Sequence, residues 1–269
     1  LLFVEISVVY GAFMAYANKG FLVDPSWTML SVFLIWSHSV YNNFATQSRL
    51  RQQIKKQFEH YLDPRMVKKL QKDPSLLKLG GETRFMTFMF CDIRGFTPIS
   101  EQYKDNPTEL TKLINRFLTR MTNVIIANGG TVDKFMGDCI MAFWNAPLKT
   151  ADHQMLAVLT ASQMQSELAM LNTQLSAENL PNIKIGIGIN SGLALVGNMG
   201  SDQRFDYSVI GDPVNLAARL ESASKTLGHT LIVGEATKKV IDDKFPFEFV
   251  DSITVKGKTE PVNVYTLTR

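Results

Sequence analysis

Cysteine is nearly absent: Cys91 and Cys139 are the only two in 269 residues, they form no CxxC pair, and the four histidines are not clustered. That pattern argues against a disulfide scaffold and against a zinc centre, and it suits a reducing cytosol with both thiols buried as small apolar side chains. Charge of one sign is also lacking, the formal net charge being only +3. The one basic stretch, from Arg49 to Lys72, adjoins an apolar segment, which makes membrane lipid a simpler partner for it than nucleic acid. Two nucleotide-binding signatures are missing as well. Gly257-Lys258-Thr259 imitates the end of a P-loop, but Ser252 stands where the first glycine is required, and Gly186, Gly188 and Gly192 do not have Rossmann spacing.

What is present is unevenly distributed. Residues 1–17 (LLFVEISVVYGAFMAYA) and 27–45 (WTMLSVFLIWSHSVYNNFA) each approach the ~20 apolar residues that cross a bilayer, which predicts two transmembrane helices within residues 1–45. Asn18 to Ser26, with Gly20 and Pro25, reads as a tight turn between them. A secretory signal peptide fits poorly, because there is no basic start and no small-residue cleavage site. The chain begins at Leu1 without methionine, so a fragment with something further upstream is expected. Arg49, Arg51, Lys55 and Lys56 follow the second apolar segment, against only Lys19 and Asp24 in the turn. The positive-inside bias then puts the rest in the cytoplasm, at the inner (plasma) membrane. Residues 46–79 carry apolar positions at Leu50, Ile54, Phe58, Leu62, Val67 and Leu70, which predict a helical linker broken at Asp63-Pro64 and ended at Asp73-Pro74.

Residues 80–269 alternate strands and helices. RFMTFMF (Arg84 to Phe90) predicts a buried strand, Pro107 to Asn128 a long amphipathic helix, and Thr131 to Phe135 with Cys139 to Trp144 a hairpin that turns at Gly137-Asp138. A helix is predicted over His153 to Asn179, strands over Lys184 to Ile189 and Leu193 to Gly197, and a helix over Pro213 to Leu227. Strands near Leu231, across Phe247 to Val255 and across Val262 to Leu267 complete an α+β domain whose sheet is packed on one side by helices.

Asp92 ends the most apolar strand, and Asp138 lies at the turn of a hairpin that can pair beside it. Two carboxylates converging at one end of a sheet suit magnesium or manganese carrying phosphate oxygens. The segment Ile93 to Thr97 then turns into a helix, where free backbone N–H groups can hold phosphate. Taken alone, two aspartates at strand ends are equally well explained as turn residues.

Three segments are more specific: Phe90-Cys91-Asp92-Ile93-Arg94-Gly95-Phe96-Thr97, then Lys134-Phe135-Met136-Gly137-Asp138, then Gly211-Asp212-Pro213-Val214-Asn215-Leu216-Ala217-Ala218-Arg219-Leu220. Together they resemble the main motifs of the class III nucleotidyl cyclases, in that family's order, and Val255-Lys256-Gly257-Lys258 resembles a fourth. The apolar start followed by a basic helical stretch is similar to bacterial members with an extracytoplasmic CHASE-type sensor upstream, here missing. The resemblance implies a ferredoxin-like βααβαβ domain that works as a homodimer with two divalent metal ions, Mg²⁺ or Mn²⁺. By match to the motifs, Asp92, Asp138 and the backbone carbonyl of Ile93 hold the metals. Lys134 and Ser208 read the base, Gly95, Phe96 and Thr97 contact phosphate, and Lys256, with Arg204, meets the terminal phosphates. Asn215 and Arg219, one helical turn apart on one face, position the ribose and stabilise charge on the reacting phosphate.

Many members of the family have an aspartate where this chain has Ser208, and guanylate cyclases typically place glutamate and cysteine at the two base-reading positions. Lys134 and Ser208 therefore favour ATP over GTP, since a hydroxyl can accept from the adenine amino group or donate. A hydroxyl residue here also resembles a subgroup that responds to bicarbonate. The expected function is an adenylate cyclase that makes cyclic AMP and pyrophosphate. The rival readings are a guanylate cyclase and a catalytically silent, dimerising cyclase-like module. Loss of a metal aspartate or of Arg219 would favour the silent module, and neither is lost.

Overall fold

The chain divides into two compact units, Leu1–Val67 and Lys68–Arg269. The structure, a computed structural model, describes residues 2–22, 24–58, 79–254 and 261–268. In the first unit, α1 (Leu2–Lys19) and α2 (Ser26–Phe58) occupy the two apolar segments. Among the described residues, however, no helix is long and apolar enough to cross a membrane, which corrects the expectation of two transmembrane helices. The reason lies in length and composition. The 18 residues of α1 include Glu5, Asn18 and Lys19, and at 1.5 Å per residue they reach about 27 Å against a hydrocarbon core of ~30 Å. Helix α2 has 33 residues, but His38, Asn42 and Asn43 interrupt its apolar part before Arg49 and Arg51. His38 and Asn42 are hydrogen-bonded to each other at 2.9 Å. The linker helices expected around Asp63-Pro64 and up to Asp73-Pro74 lie outside the described residues.

The second unit is organised by β1 (Gly80–Ile93), whose apolar run is explained by burial on both faces. Met89, Cys91 and Ile93 point into one core. There they meet Leu113, Phe117, Met121 and Ile125, an i, i+4 stripe on α4 (Pro107–Ala127), and the inner face of α5 (His153–Ala177). Met86, Phe88 and Phe90 point into a second core with Val209, Val214 and Ala217. The next elements in the chain are α3 (Phe96–Gln102), the hairpin β2 (Thr131–Met136) and β3 (Cys139–Trp144), and the strands β4 (Ile185–Ser201) and β5 (Arg204–Ile210). Helix α6 (Asp212–Thr226), β6 (Leu231–Gly234), α7 (Glu235–Ile241), β7 (Phe247–Ile253) and β8 (Val262–Leu267) follow. The strands form one sheet in the order β2-β3-β1-β4-β6-β8-β7, with β5 paired to β4. All pairings are antiparallel except β4 with β6. The segment β1-α3-α4-β2-β3-α5-β4, ordered β4-β1-β3-β2 in the sheet, is the ferredoxin-like core, with one strand more than the βααβαβ reading because the hairpin supplies two.

Three further expectations are corrected. The two strands expected between Lys184 and Gly197 are one continuous strand, β4. Helices cover both faces of the sheet, not one, because α6 packs on the second core. Cys91 is buried as expected, whereas Cys139 is only partly so.

The glycines that lacked Rossmann spacing explain the second correction. In Ile185-Gly186-Ile187-Gly188-Ile189 the isoleucines line the first core, and the glycines face α6. A Cβ on Gly188 would stand 2.2 Å from the backbone nitrogen of Glu221 and 2.3 Å from the carbonyl oxygen of Ala217. The helix axis can approach the strand this closely only where no side chain intervenes. Gly188→Ala is therefore expected to destabilise the second unit by about 2–4 kcal/mol, because backbone atoms cannot rotate away as side chains can. Urea unfolding measures this, and an unchanged midpoint would mean that α6 does not rest on β4.

A chain of buried polar groups ties the helices to the sheet. Thr87 Oγ1 lies 2.8 Å from His153 Nδ1 and 2.7 Å from Ser191 Oγ, which is 2.8 Å from Thr237 Oγ1. Burial lowers the pKa of His153 to about 4, against a weaker opposing pull from Asp152. The unfolded chain, with histidine at its ordinary value near 6.5, binds more protons than the folded one between those two values. The His153 contribution is therefore complete above pH ~6.5 and is lost as pH falls through 4, by on the order of 2 kcal/mol. Denaturant midpoints at pH 7.5 and pH 5 should fall more for the wild type than for His153→Gln. Equal falls would remove His153 as the cause.

Candidate active site

Register brings the two predicted metal aspartates together. Cys91 pairs with Ile140 across β1 and β3, and Asp92 pairs with Gly186 across β1 and β4. Asp92 thus sits beside the hairpin turn, where Gly137 takes φ 69° and leads into Asp138. Asp92 is pushed up to about 6 by burial and then by the neighbouring Asp138 carboxylate. Asp138 is raised as well, chiefly by burial, and its Oδ2 is buried without a hydrogen-bond partner. Such a pair is under-compensated, since burial and a like-charged neighbour both disfavour ionisation.

A third carboxylate, Glu221 on α6, was not anticipated from the sequence. It rises to about 7, through burial first and Asp92 second, and Arg94 opposes the rise. Its Oε1 would lie 2.8 Å from a Cβ placed on Gly186, the residue opposite Asp92. Arg94 fastens this corner. Its backbone N–H donates to Lys184 O at 2.7 Å, and its Nη2 donates to Ser224 Oγ at 3.0 Å and to the carbonyl of His229. The ARLES stretch at 218–222 gave no signal for Glu221, because only the strand opposite decides what a helical glutamate faces.

Ile93 is buried in the first core, and Gly95, with φ 68°, opens α3. Phe96 packs its ring against that same core, so its side chain is engaged in packing, whereas Thr97 is exposed.

The base-reading pair forms a second constellation. Ser208 pairs with Gly197, eleven residues along β4 from the partner of Asp92 (197 − 186). Strand β5 nevertheless returns over the second core, where Val209 is buried and Tyr207 meets Phe143 with ring centroids 6.4 Å apart. That return sets Ser208 Oγ 3.0 Å from Asp133 Oδ2, which is also 3.4 Å from Lys134 Nζ. Asp133 was likewise missed by sequence reasoning. Arg204 lies apart, opposite Ser201 at the far end of the β4–β5 ladder. Lys256 and the Val255-Lys256-Gly257-Lys258 motif lie outside the described residues.

Asn215 is exposed on α6, and Arg219, one turn on, has a buried Nη1 without a hydrogen-bond partner. Among the described residues, no hydrogen bond or ion pair joins Arg219 to Asp92 or Asp138. It is Glu221, on another side of the helix, that senses the aspartates of the same chain.

A ferredoxin-like sheet with paired carboxylates at one end of β1, and a lysine–serine constellation elsewhere on the same domain, is the framework of a nucleotide-cyclising catalytic domain. The profile of the adenylate and guanylate cyclase catalytic domain matches residues 81–269. The chain belongs to this family, the class III nucleotidyl cyclases. An adenylate cyclase of Anabaena cylindrica is 36% identical over 190 residues, covering 68% of this chain and 36% of that protein. The chain spans only a minor part of the length of the curated relatives it matches first. Among solved structures, the adenylyl cyclase CyaB from P. aeruginosa is 36% identical with a TM-score of 0.66, covering 71% of this chain and 97% of that one. The guanylyl cyclase Cya2 is 34% identical with a TM-score of 0.63, covering 70% and 94%. Such similar likenesses to an adenylyl and a guanylyl cyclase leave base choice to individual residues.

Proposed function

We propose that this chain is an adenylate cyclase that converts ATP to 3′,5′-cyclic AMP and pyrophosphate at sites shared between two copies. The observation that carries the chemistry is the under-compensated pair Asp92 and Asp138, with the orphaned Asp138 Oδ2. This donor set fits a divalent cation. The ligands are hard oxygens and few, and among the described residues no cluster of three or more His, Cys, Asp or Glu side chains encloses an ion, so substrate phosphates are needed to complete a coordination shell of the Mg²⁺ or Mn²⁺ type. Asp92, Asp138 and the carbonyl of Ile93 would hold two such ions, which supply a more acidic 3′-hydroxyl and charge stabilisation on the phosphates.

In the reaction the ribose 3′-oxygen bonds to the α-phosphorus, the bond from that phosphorus to the bridging oxygen breaks, pyrophosphate leaves, and the hydroxyl proton passes to solvent. The protein's part is positioning and charge. Glu221 adds a third carboxyl beside the aspartates, and a bound cation would favour its ionised form. Asn215 holds the ribose, and the planar fork of Arg219 donates to the reacting phosphate oxygens. The unpartnered Nη1 of Arg219 supports that assignment, because a buried guanidinium donor without an acceptor is costly unless a ligand supplies one. Gly95, Phe96, Thr97, Arg204 and Lys256 remain assigned to phosphate on motif grounds. Lys134 and Ser208 meet the base, and their donor and acceptor complement favours adenine.

Arg219 Nη1 has no partner within its own chain among the described residues, which is consistent with a homodimer in which each chain completes the other's site. The test is product analysis by chromatography after purified protein meets ATP or GTP with Mg²⁺ or Mn²⁺. Cyclic AMP from ATP is expected, and cyclic GMP as the main product would replace this reading with a guanylate cyclase.

A further inference from the structure

Asp133 is a charged residue in an unusual place. Its side chain is only 1% exposed, its Oδ2 receives the Ser208 hydroxyl and lies against the Lys134 ammonium, and its Oδ1 is buried without a partner. It stands where the β2–β3 register shifts between Val132 and Lys134. Strand alternation ordinarily sends neighbouring residues to opposite faces, and an irregularity of this kind re-aims a side chain. Here it brings the Ser208 hydroxyl and the Lys134 ammonium to the same oxygen of Asp133.

A hydroxyl has one hydrogen to donate and lone pairs that accept, whereas an ionised carboxylate only accepts. With its hydrogen committed to Asp133, Ser208 turns only lone pairs outward. Adenine carries an amino donor at position 6, and guanine carries a carbonyl acceptor there. An acceptor-only serine satisfies the first and sets oxygen against oxygen with the second, which leaves buried polar groups unpaired.

We propose that Asp133 is a positioning residue for base choice, which fixes Ser208 as a hydrogen-bond acceptor and thereby selects adenine over guanine. The proposal rests on the cyclase reading above and adds to it a residue outside the base-reading pair. Removing the carboxylate frees the Ser208 hydroxyl to rotate and donate, so guanine becomes acceptable.

The experiment compares kcat/KM for ATP and GTP in the wild type, Asp133→Leu, Ser208→Ala and the double variant, with folding checked by circular dichroism. Asp133→Leu should lower the ATP-to-GTP ratio by about tenfold, the scale of one misplaced hydrogen bond. In the Ser208→Ala background the same replacement should leave the ratio unchanged, because the hydroxyl through which Asp133 acts is gone. A merely structural role would lower both activities together and leave the ratio intact. That result, or an equal change of ratio in both backgrounds, overturns the proposal.

A second measurement needs no variant. The wild type should use ATP best, then purine riboside triphosphate, which lacks a group at position 6, and inosine triphosphate, with a carbonyl there, worst. Inosine triphosphate matching or exceeding the purine analogue would show a donating Ser208 and overturn the proposal even if Asp133→Leu does not fold. A wild type that cyclises ATP but fails these tests leaves the cyclase reading standing. A wild type that cyclises no nucleotide removes both.

Discussion

Asp92→Asn and Asp138→Asn are each expected to cut cyclisation about a thousandfold or more, equivalent to ~4 kcal/mol of transition-state stabilisation, while leaving the metal-free protein at least as stable as the wild type. The combination is diagnostic. Burial pushes both carboxyls up, and Asp92 rises further because Asp138 lies beside it. In the absence of a cation the pair is therefore a strain on the fold, and neutralising one member relieves it. With a cation the same substitution removes a ligand. Chromatographic assay of cyclic nucleotide and thermal unfolding in the presence of a chelator measure the two halves. Retained turnover would detach the aspartates from the chemistry. A clear loss of chelated stability would instead make them structural residues.

Mixing two inactive variants tests the shared site. Asp92→Ala and Arg219→Ala should each be inactive alone, because each homodimer is damaged at both sites. In a mixed dimer both lesions fall in one site, and the other is built from the intact Arg219 of one chain and the intact Asp92 of the other. Half the dimers then carry one good site of two, so activity should return to roughly a quarter of wild type under random pairing of independent sites. Among the described residues Arg219 makes no ion pair with the aspartates of its own chain, and on α6 it is Glu221 that Asp92 and Asp138 perturb. Demonstrated subunit exchange with no recovered activity would place Asp92 and Arg219 in one chain's site.

Local pattern carried much of the architecture. The Leu113, Phe117, Met121 and Ile125 stripe of α4, the two-sided apolar run of β1 and the glycine at the β2–β3 turn are short-range features, set by helix and strand periodicity and by the left-handed φ of Gly137. The elements they predicted are present. Composition misled at the start of the chain, where average apolarity suggested membrane spans but the polar residues within α1 and α2 leave no helix apolar enough to cross among the described residues.

By itself, the sequence determined which residue types stand at the ends of β1 and at the β2–β3 turn, because motif order and turn chemistry are properties of contiguous residues. Only the tertiary structure decided that the glycines of β4 admit α6, that Glu221 joins the aspartate corner, and that Asp133 lies buried under Ser208. Each of these depends on which segments, tens of residues apart, are brought together. Burial and the proximity of like charges, which set the behaviour of carboxylates, arise from that assembly and leave no periodic trace in the chain.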